Sequence, residues 1–289
     1  MSIKTIMAPM MGEKADKRIL DVALTMAVPT NAHVQAVFLH RDPKDIMMPQ
    51  VGDGLSGGII DSLMLEAEAQ VDSARRAAHS TYDTWRQESG IAELANPAPT
   101  NGITSDLSEA IGDLSGTLAK TGRMADVICL VRPDEDDGSD GEALIKAALM
   151  ETGKTVLLAP TDAEMNAVES VAIAWNGSRE AARAVALAMP LLEAADSVTV
   201  LAATSDYVRP EDVTAFTESL KWHGINAAAR MFAQNGAELA DRLQEEAQKS
   251  GAQLLVLGAY SHSRLKEFVF GGVTDDIIKD GRMPVMMAH

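Results

Sequence analysis

The chain repeats itself, and this repeat restricts the fold more than any other feature of its sequence. A stretch near the N-terminus, "KTIMAPMMGEKADKRILDVALTMA", aligns with "ESVAIAWNGSREAARAVALAMPLL" in the middle of the chain, so that Gly12 meets Gly177. Both stretches are typical of a strand followed by a turn and an amphipathic helix. Because such a repeat is one structural unit used twice, we predict two related domains, residues 1–160 and 168–289.

Short apolar runs alternate with segments of helical length or spacing in both halves. In the second half the predicted strands are 171–174, 198–203, 227–232, 254–257 and 285–288. Apolar residues that recur at intervals of three and four predict helices over 64–85, 107–118 and 236–250. This alternation predicts an α/β fold of two tandem doubly wound domains, each with a mainly parallel five-stranded sheet and helices on both faces.

The composition excludes several classes of partner. A formal net charge of −17 over 289 residues would repel a phosphate backbone, so we predict no nucleic acid partner. No apolar run approaches the roughly 18 residues of a membrane span, and the N-terminus lacks the pattern of a signal peptide. We therefore expect a cytoplasmic protein without a membrane partner. Cys129, the only cysteine, lies in an apolar run and is expected to pack in a core.

A glycine-bounded loop follows the fourth predicted strand of the second half. In "GAYSHSRLKEFVFGG", Gly258 ends the strand, and Gly271 and Gly272 precede a predicted helix over 273–280. The carboxyl ends of parallel strands are where such loops present backbone N–H groups to ligands. Two interpretations stay open on the residues alone: the loop holds a phosphate group, or its glycines only permit the turns.

The glycine spacing, together with the repeat, resembles the universal stress protein family in its tandem two-domain form. ATP-binding members of that family have a loop of Gly, two residues, Gly, nine residues, Gly and then Ser or Thr. This chain keeps the spacing, but Ser261 stands at the second glycine and Gly272 at the hydroxyl residue. The resemblance implies ATP or another adenine nucleotide as ligand, with or without Mg²⁺, in the second domain.

The resemblance also implies a set of binding residues. The family's first strand ends in an Asp near the nucleoside, and this chain has Asn176 there. The implied site near the phosphates consists of Gly258, Ser261, Gly271, Gly272 and Thr274. Beside Asn176, Trp175 either stacks on a base or packs against the sheet.

The first half lacks these features. Met11 stands at the position that corresponds to Asn176, and the later loop replaces the glycine spacing with acidic residues over 134–140. Acidic side chains would repel a phosphate, so we predict no nucleotide site in the first domain. Neither half shows a metal constellation.

The sequence indicates a binding protein more than an enzyme. Ser261 and His262 are neighbours in the chain, and adjacency does not make a nucleophile and base pair. We identify no catalytic residue, so a slow ATPase is the most that the loop supports. The family resemblance implies a stress-response binding protein, and the alternative is a protein-interaction or scaffold module without nucleotide.

The resemblance also implies pairing between final strands, as in a dimer. In this chain "TVLLAP" and "PVMMAH" can pair within one molecule. Further association into a homo-oligomer and an unidentified protein partner remain expectations.

Overall fold

The structure is a computed structural model that describes residues 2–47, 57–99, 101–133, 139–160, 165, 167–205, 208–233, 238–260 and 272–289. The strands of the first half are β1 (Thr5–Met10), β2 (His33–His40), β3 (Ala92–Glu93), β4 (Thr104–Ile111), β5 (Val127–Val131) and β6 (Thr155–Ala159). Those of the second half are β7 (Ser170–Ala174), β8 (Ser197–Ala203), β9 (Ala228–Phe232), β10 (Leu254–Gly258) and β11 (Val285–Ala288). The predicted strands of the second half are confirmed to within a residue.

Helices connect the strands on both sides of the sheet. In the first half they are α1 (Ala15–Ala27), α2 (Pro43–Met47), α3 (Gly57–Ser89), α4 (Leu114–Gly122) and α5 (Ser139–Glu151). In the second half they are α6 (Arg179–Ala194), α7 (Pro210–Leu220), α8 (Leu239–Lys249) and α9 (Gly272–Asp280). Among the described helices none is long and apolar enough to cross a membrane.

The two halves share one sheet. Its order is β3-β4-β2-β1-β5-β6-β11-β10-β7-β8-β9, and neighbouring strands are parallel except at the junction of β6 with β11. There the strands run antiparallel, with Leu158 opposite Val285 and Val156 opposite Met287. The expected pairing of the two final strands within one chain is confirmed. Because the junction is antiparallel, the strands of the two halves run in opposite directions.

One predicted helix is wrong in its first half. Residues from Leu107 to Ile111, assigned to a helix by their spacing, belong to strand β4, and α4 begins only at Leu114. All eight residues of β4 pair in parallel register with β2. A neighbouring strand that pairs with the whole segment outweighs the local spacing, because strand formation depends on tertiary context. The described part of the acidic segment 134–140 is also helical, since α5 begins at Ser139.

The core lies on both faces of the sheet. Central strands are buried on both sides, as parallel sheets covered by helices require, and β6 is buried at all five positions. Cys129 of β5 is completely buried, and this burial raises the pKa of its thiol. The predicted packing role of this cysteine is confirmed.

Candidate functional site

The second half offers a crevice at the carboxyl edge of β7 and β10. From β7 the sheet continues through β8 and β9 on one side, and through β10 and β11 on the other. The connections that follow β7 and β10 therefore diverge to opposite sides, which is the topological switch point where open α/β sheets bind ligands. Helices α6 and α9 both begin at this edge.

Asn176 shapes the turn between β7 and α6. Its Oδ1 accepts a hydrogen bond from the backbone N–H of Ser178 at 3.0 Å, and Gly177 has a positive φ of 71°. Ser178 then caps the helix, since its Oγ accepts from the N–H of Ala181 at 3.1 Å. A side-chain oxygen at this position satisfies one of the helix's unpaired donors. The side chain of Asn176 thus stabilises the turn, and it lies at the carboxyl end of β7.

Gly258, the last residue of β10, supports the first turn of α6. A Cβ at this position would lie 2.4 Å from the backbone nitrogen of Ala181, a distance that no side chain tolerates. Glycine is therefore required by packing, whether or not a ligand binds. The missing side chain lets the N-terminus of α6 lie directly against the end of β10.

A hydrogen bond closes the base of the glycine-bounded loop. The Oγ1 of Thr274, a buried residue in the first turn of α9, accepts from the backbone N–H of Tyr260 at 3.0 Å. Tyr260 has a positive φ of 49°, and its hydroxyl donates to Oδ1 of Asp275 at 2.9 Å. Burial and this carboxylate raise the pKa of the Tyr260 hydroxyl. The predicted residues Ser261 and Gly271 lie outside the described residues.

Gly272 begins α9. Among the described residues, the nearest atom to a Cβ at this position is Oδ2 of Asp276, at 3.8 Å. Packing against the described residues therefore does not require this glycine, in contrast to Gly258. The carboxylates of Asp275 and Asp276 lie in the first turn and a half of α9, where the helix dipole favours negative charge.

Trp175 packs within the protein. Its ring stacks on the ring of Phe216 in α7, with centroids 3.6 Å apart and planes 1° from parallel. The packing interpretation of this residue is confirmed.

The first half fills the corresponding turn with its own carboxylate. Asp16, in the first turn of α1 and almost completely buried, accepts from the N–H of Met11 at 2.9 Å and of Gly12 at 2.8 Å. Burial raises the pKa of the Asp16 carboxyl, even though three backbone hydrogen bonds act in the opposite direction. The sequence reasoning missed this residue, and an acidic residue soon after the turn glycine was the available signal.

The acidic loop of the first half lies mostly outside the described residues. Of the acidic residues predicted there, Asp140 is described, and its Oδ1 accepts from Nη2 of Arg41 at 2.7 Å. Within the described ranges no group of three His, Cys, Asp or Glu side chains is arranged to hold a metal ion.

A comparison with known protein families gave a match for the second half of the chain. The model of the universal stress protein family matches residues 168–289. A comparison with curated protein sequences gave no match.

Solved structures extend the likeness over the whole chain. A universal stress protein from Archaeoglobus fulgidus is 13% identical with a TM-score of 0.65, and the alignment covers 99% of this chain and 96% of that one. A protein from Pseudomonas aeruginosa, provisionally described as a universal stress protein, is 13% identical with a TM-score of 0.56, covering 99% and 93%. These likenesses show the fold.

A shorter relative from Arabidopsis thaliana was solved with AMP bound. It is 17% identical and covers 42% of this chain and 90% of its own, with a TM-score of 0.31, so its ligand describes that protein alone. Residues 168–289 thus match the model of the universal stress protein family, and the whole chain has the fold of solved universal stress proteins.

Proposed function

We propose that this chain is a stress-response binding protein that holds ATP or a related adenine nucleotide in its second domain. The domains that we propose are residues 1–160 and 168–289. The nucleotide would lie at the carboxyl edge of β7 and β10, with Asn176 near the nucleoside. The residues near the phosphates would be Gly258, Ser261, Gly271, Gly272 and Thr274.

One observation carries this proposal: two helices begin within reach of the end of β10. The first turn of α6 lies against Gly258, and the first turn of α9 is tied to Tyr260, two residues later, through Thr274. Helix N-termini present unpaired N–H groups and a partial positive charge, and both attract phosphate. Two of them at a switch point make a suitable anion site even in a chain of net charge −17.

A specific observation also favours the alternative, a protein-interaction or scaffold module without nucleotide. Asp275 and Asp276 place two carboxylates close to the start of α9, where they would repel a phosphate group. Gly272 also removes the hydroxyl that would donate to it. The nucleotide function requires that the attraction of the two helix N-termini for phosphate exceed the repulsion of phosphate by these two carboxylates.

The experiment that separates them restores the missing hydroxyl. Gly272→Ser fits against the part of the chain that the structure describes, because the nearest atom there to the new Cβ is 3.8 Å away. A hydroxyl donating to a charged phosphate is worth about 1.5 kcal/mol, so we expect ATP to bind about tenfold more tightly. Calorimetric titration with ATP, ADP and AMP, with and without Mg²⁺, measures the change.

Gly272→Ala is the matched control, because it adds the same Cβ without the hydroxyl. We expect its affinity for ATP to equal that of the wild-type chain. If neither the wild-type chain nor Gly272→Ser gives binding heat with any of the three nucleotides, the scaffold function replaces the nucleotide function. Equal gains in Gly272→Ser and Gly272→Ala would show that the hydroxyl does not reach a phosphate.

A further inference from the structure

The first half has a cavity of about 330 Å³ at the carboxyl ends of β1, β2 and β5. Pockets for small molecules span roughly 300 to 1,000 Å³, so the cavity has room for a small ligand. It lies at the edge of the first half that corresponds to the proposed nucleotide site of the second. Its apolar lining comes from strands and helices alike, and includes Met11, Leu39, Val71, Leu130, Leu144 and Ile145.

Two polar side chains at this cavity, those of His40 and Arg41, have partners in the protein. Nε2 of His40 lies 2.6 Å from Oε1 of Glu109, and its Nδ1 lies 2.9 Å from the carbonyl oxygen of Arg41. The Arg41 guanidinium is itself paired with Asp140. A charged ligand at His40 would have to displace Glu109, and breaking this partly buried pair would leave the His40 ring unsatisfied.

The helix terminus at the cavity is also occupied. Asp16 binds the N–H groups of Met11 and Gly12, so the position that a phosphate would take is filled by a carboxylate of the chain. A second anion would be repelled by Asp16 and would find those two donors already satisfied. In the second half the residue that aligns with Asp16 is Ala181, which has no charge.

We propose that this cavity binds a small, uncharged and largely apolar molecule, and that it does not bind a nucleotide. The apolar lining supplies the binding free energy through burial of ligand surface. The His40–Glu109 pair disfavours charged competitors, and so does the Asp16 carboxylate, which accepts from the backbone N–H of the lining residue Met11. The two halves would thus bind chemically different ligands at corresponding strand ends of the shared sheet.

A neutral fluorescent probe tests this directly. N-phenyl-1-naphthylamine is uncharged, apolar and brighter when removed from water. We expect it to bind the wild-type chain saturably, with one probe per chain, and with an affinity that does not depend on salt because no charges meet. Addition of ATP should leave the bound probe in place.

Two substitutions on one helix locate the probe. Ala74→Leu extends a side chain into the cavity, whereas Ala77→Leu makes the same change at an exposed position of α3. Because the leucine side chain would occupy volume that the probe needs, Ala74→Leu should weaken probe binding by about tenfold or more. Ala77→Leu should leave it unchanged.

A second cavity variant keeps the test decisive if Ala74→Leu folds poorly. Val71→Phe fills the same cavity from the previous turn of α3, and circular dichroism shows which variants keep the wild-type fold. The proposal is overturned if the probe does not saturate, if ATP displaces it, or if a folded cavity variant binds it as well as Ala77→Leu does. Because ATP binding to the second half is measured separately, failure here leaves the proposed function untouched.

Discussion

Arg132 reaches from the first half into the second. Its Nε donates to the carbonyl of Ile277 at 3.0 Å, and its Nη2 donates to the carbonyl of Met283 at 3.2 Å. Burial lowers the pKa of the guanidinium to about 10, so it remains charged at neutral pH. A cation near the C-terminal end of α9 interacts favourably with the helix dipole. This side chain therefore anchors α9 to the end of β5.

We predict that Gly281→Ala destabilises the chain by breaking this anchor. A Cβ at residue 281 would lie 1.9 Å from Nη2 of Arg132, and the guanidinium cannot move aside without losing its two carbonyl partners. Overpacking of this kind costs roughly 1 to 3 kcal/mol, which urea unfolding measures. Gly102→Ala, where no atom of the described residues lies within 4 Å of the new Cβ, should change little. Equal stabilities of the two variants would contradict the anchoring role.

At the scale of single elements, the start of α1 should make stability depend on pH. Because the pKa of Asp16 is raised above its ordinary value of 3.8, the folded chain binds more protons than the unfolded chain between those two pKa values. The stability that Asp16 contributes is therefore present at lower pH and is lost as the pH rises through the folded pKa.

Asp16→Asn isolates this effect, since the amide is neutral throughout. We expect the free energy of unfolding of the wild-type chain, relative to Asp16→Asn, to fall across that window and stay constant at higher pH. Urea titrations at a series of pH values measure the difference. A difference that rises with pH would mean that the backbone hydrogen bonds to the carboxylate outweigh its burial.

Elements also show what the sequence could predict. The short strands of the second half and the long helix α3 were found because their apolar runs and periodicity are local signals. Strand β4 was mistaken in part for a helix, because its eight pairs with β2 are made by residues about 70 positions away. The role of Asp16 was missed for the same reason: its burial depends on how α1 packs, and spacing does not report that.

At the scale of the whole molecule, the continuous sheet should make the halves unfold together. Trp85 is buried in the first half, whereas Trp175 is stacked in the second. One variant keeps only Trp85 and another keeps only Trp175, and Trp222→Phe is present in both. The tryptophan fluorescence of each variant then reports on the unfolding of one half. In each variant we expect the urea midpoint from fluorescence to coincide with the midpoint from circular dichroism.

Trp222 is 92% exposed, so its replacement should not affect the transition, and the single variant Trp222→Phe checks this. Fluorescence midpoints that differ from the circular dichroism midpoints of the same variant would show that the halves are independent units. The antiparallel contact of β6 with β11 would then be a weak junction.

That junction has an evolutionary consequence. Outward from the junction the strand order is the same on both sides for five strands, so that β5 corresponds to β10 and β1 to β7, and only the edge strand β3 has no counterpart among the described strands. If the two halves were separate identical subunits of a symmetric dimer, every substitution would appear in both of them. Fusion into one polypeptide removes this constraint, because a change such as Asp16 in one copy and Ala181 in the other is inherited by a single copy. A repeat within one chain therefore lets the two halves carry different residues at corresponding positions of the same architecture.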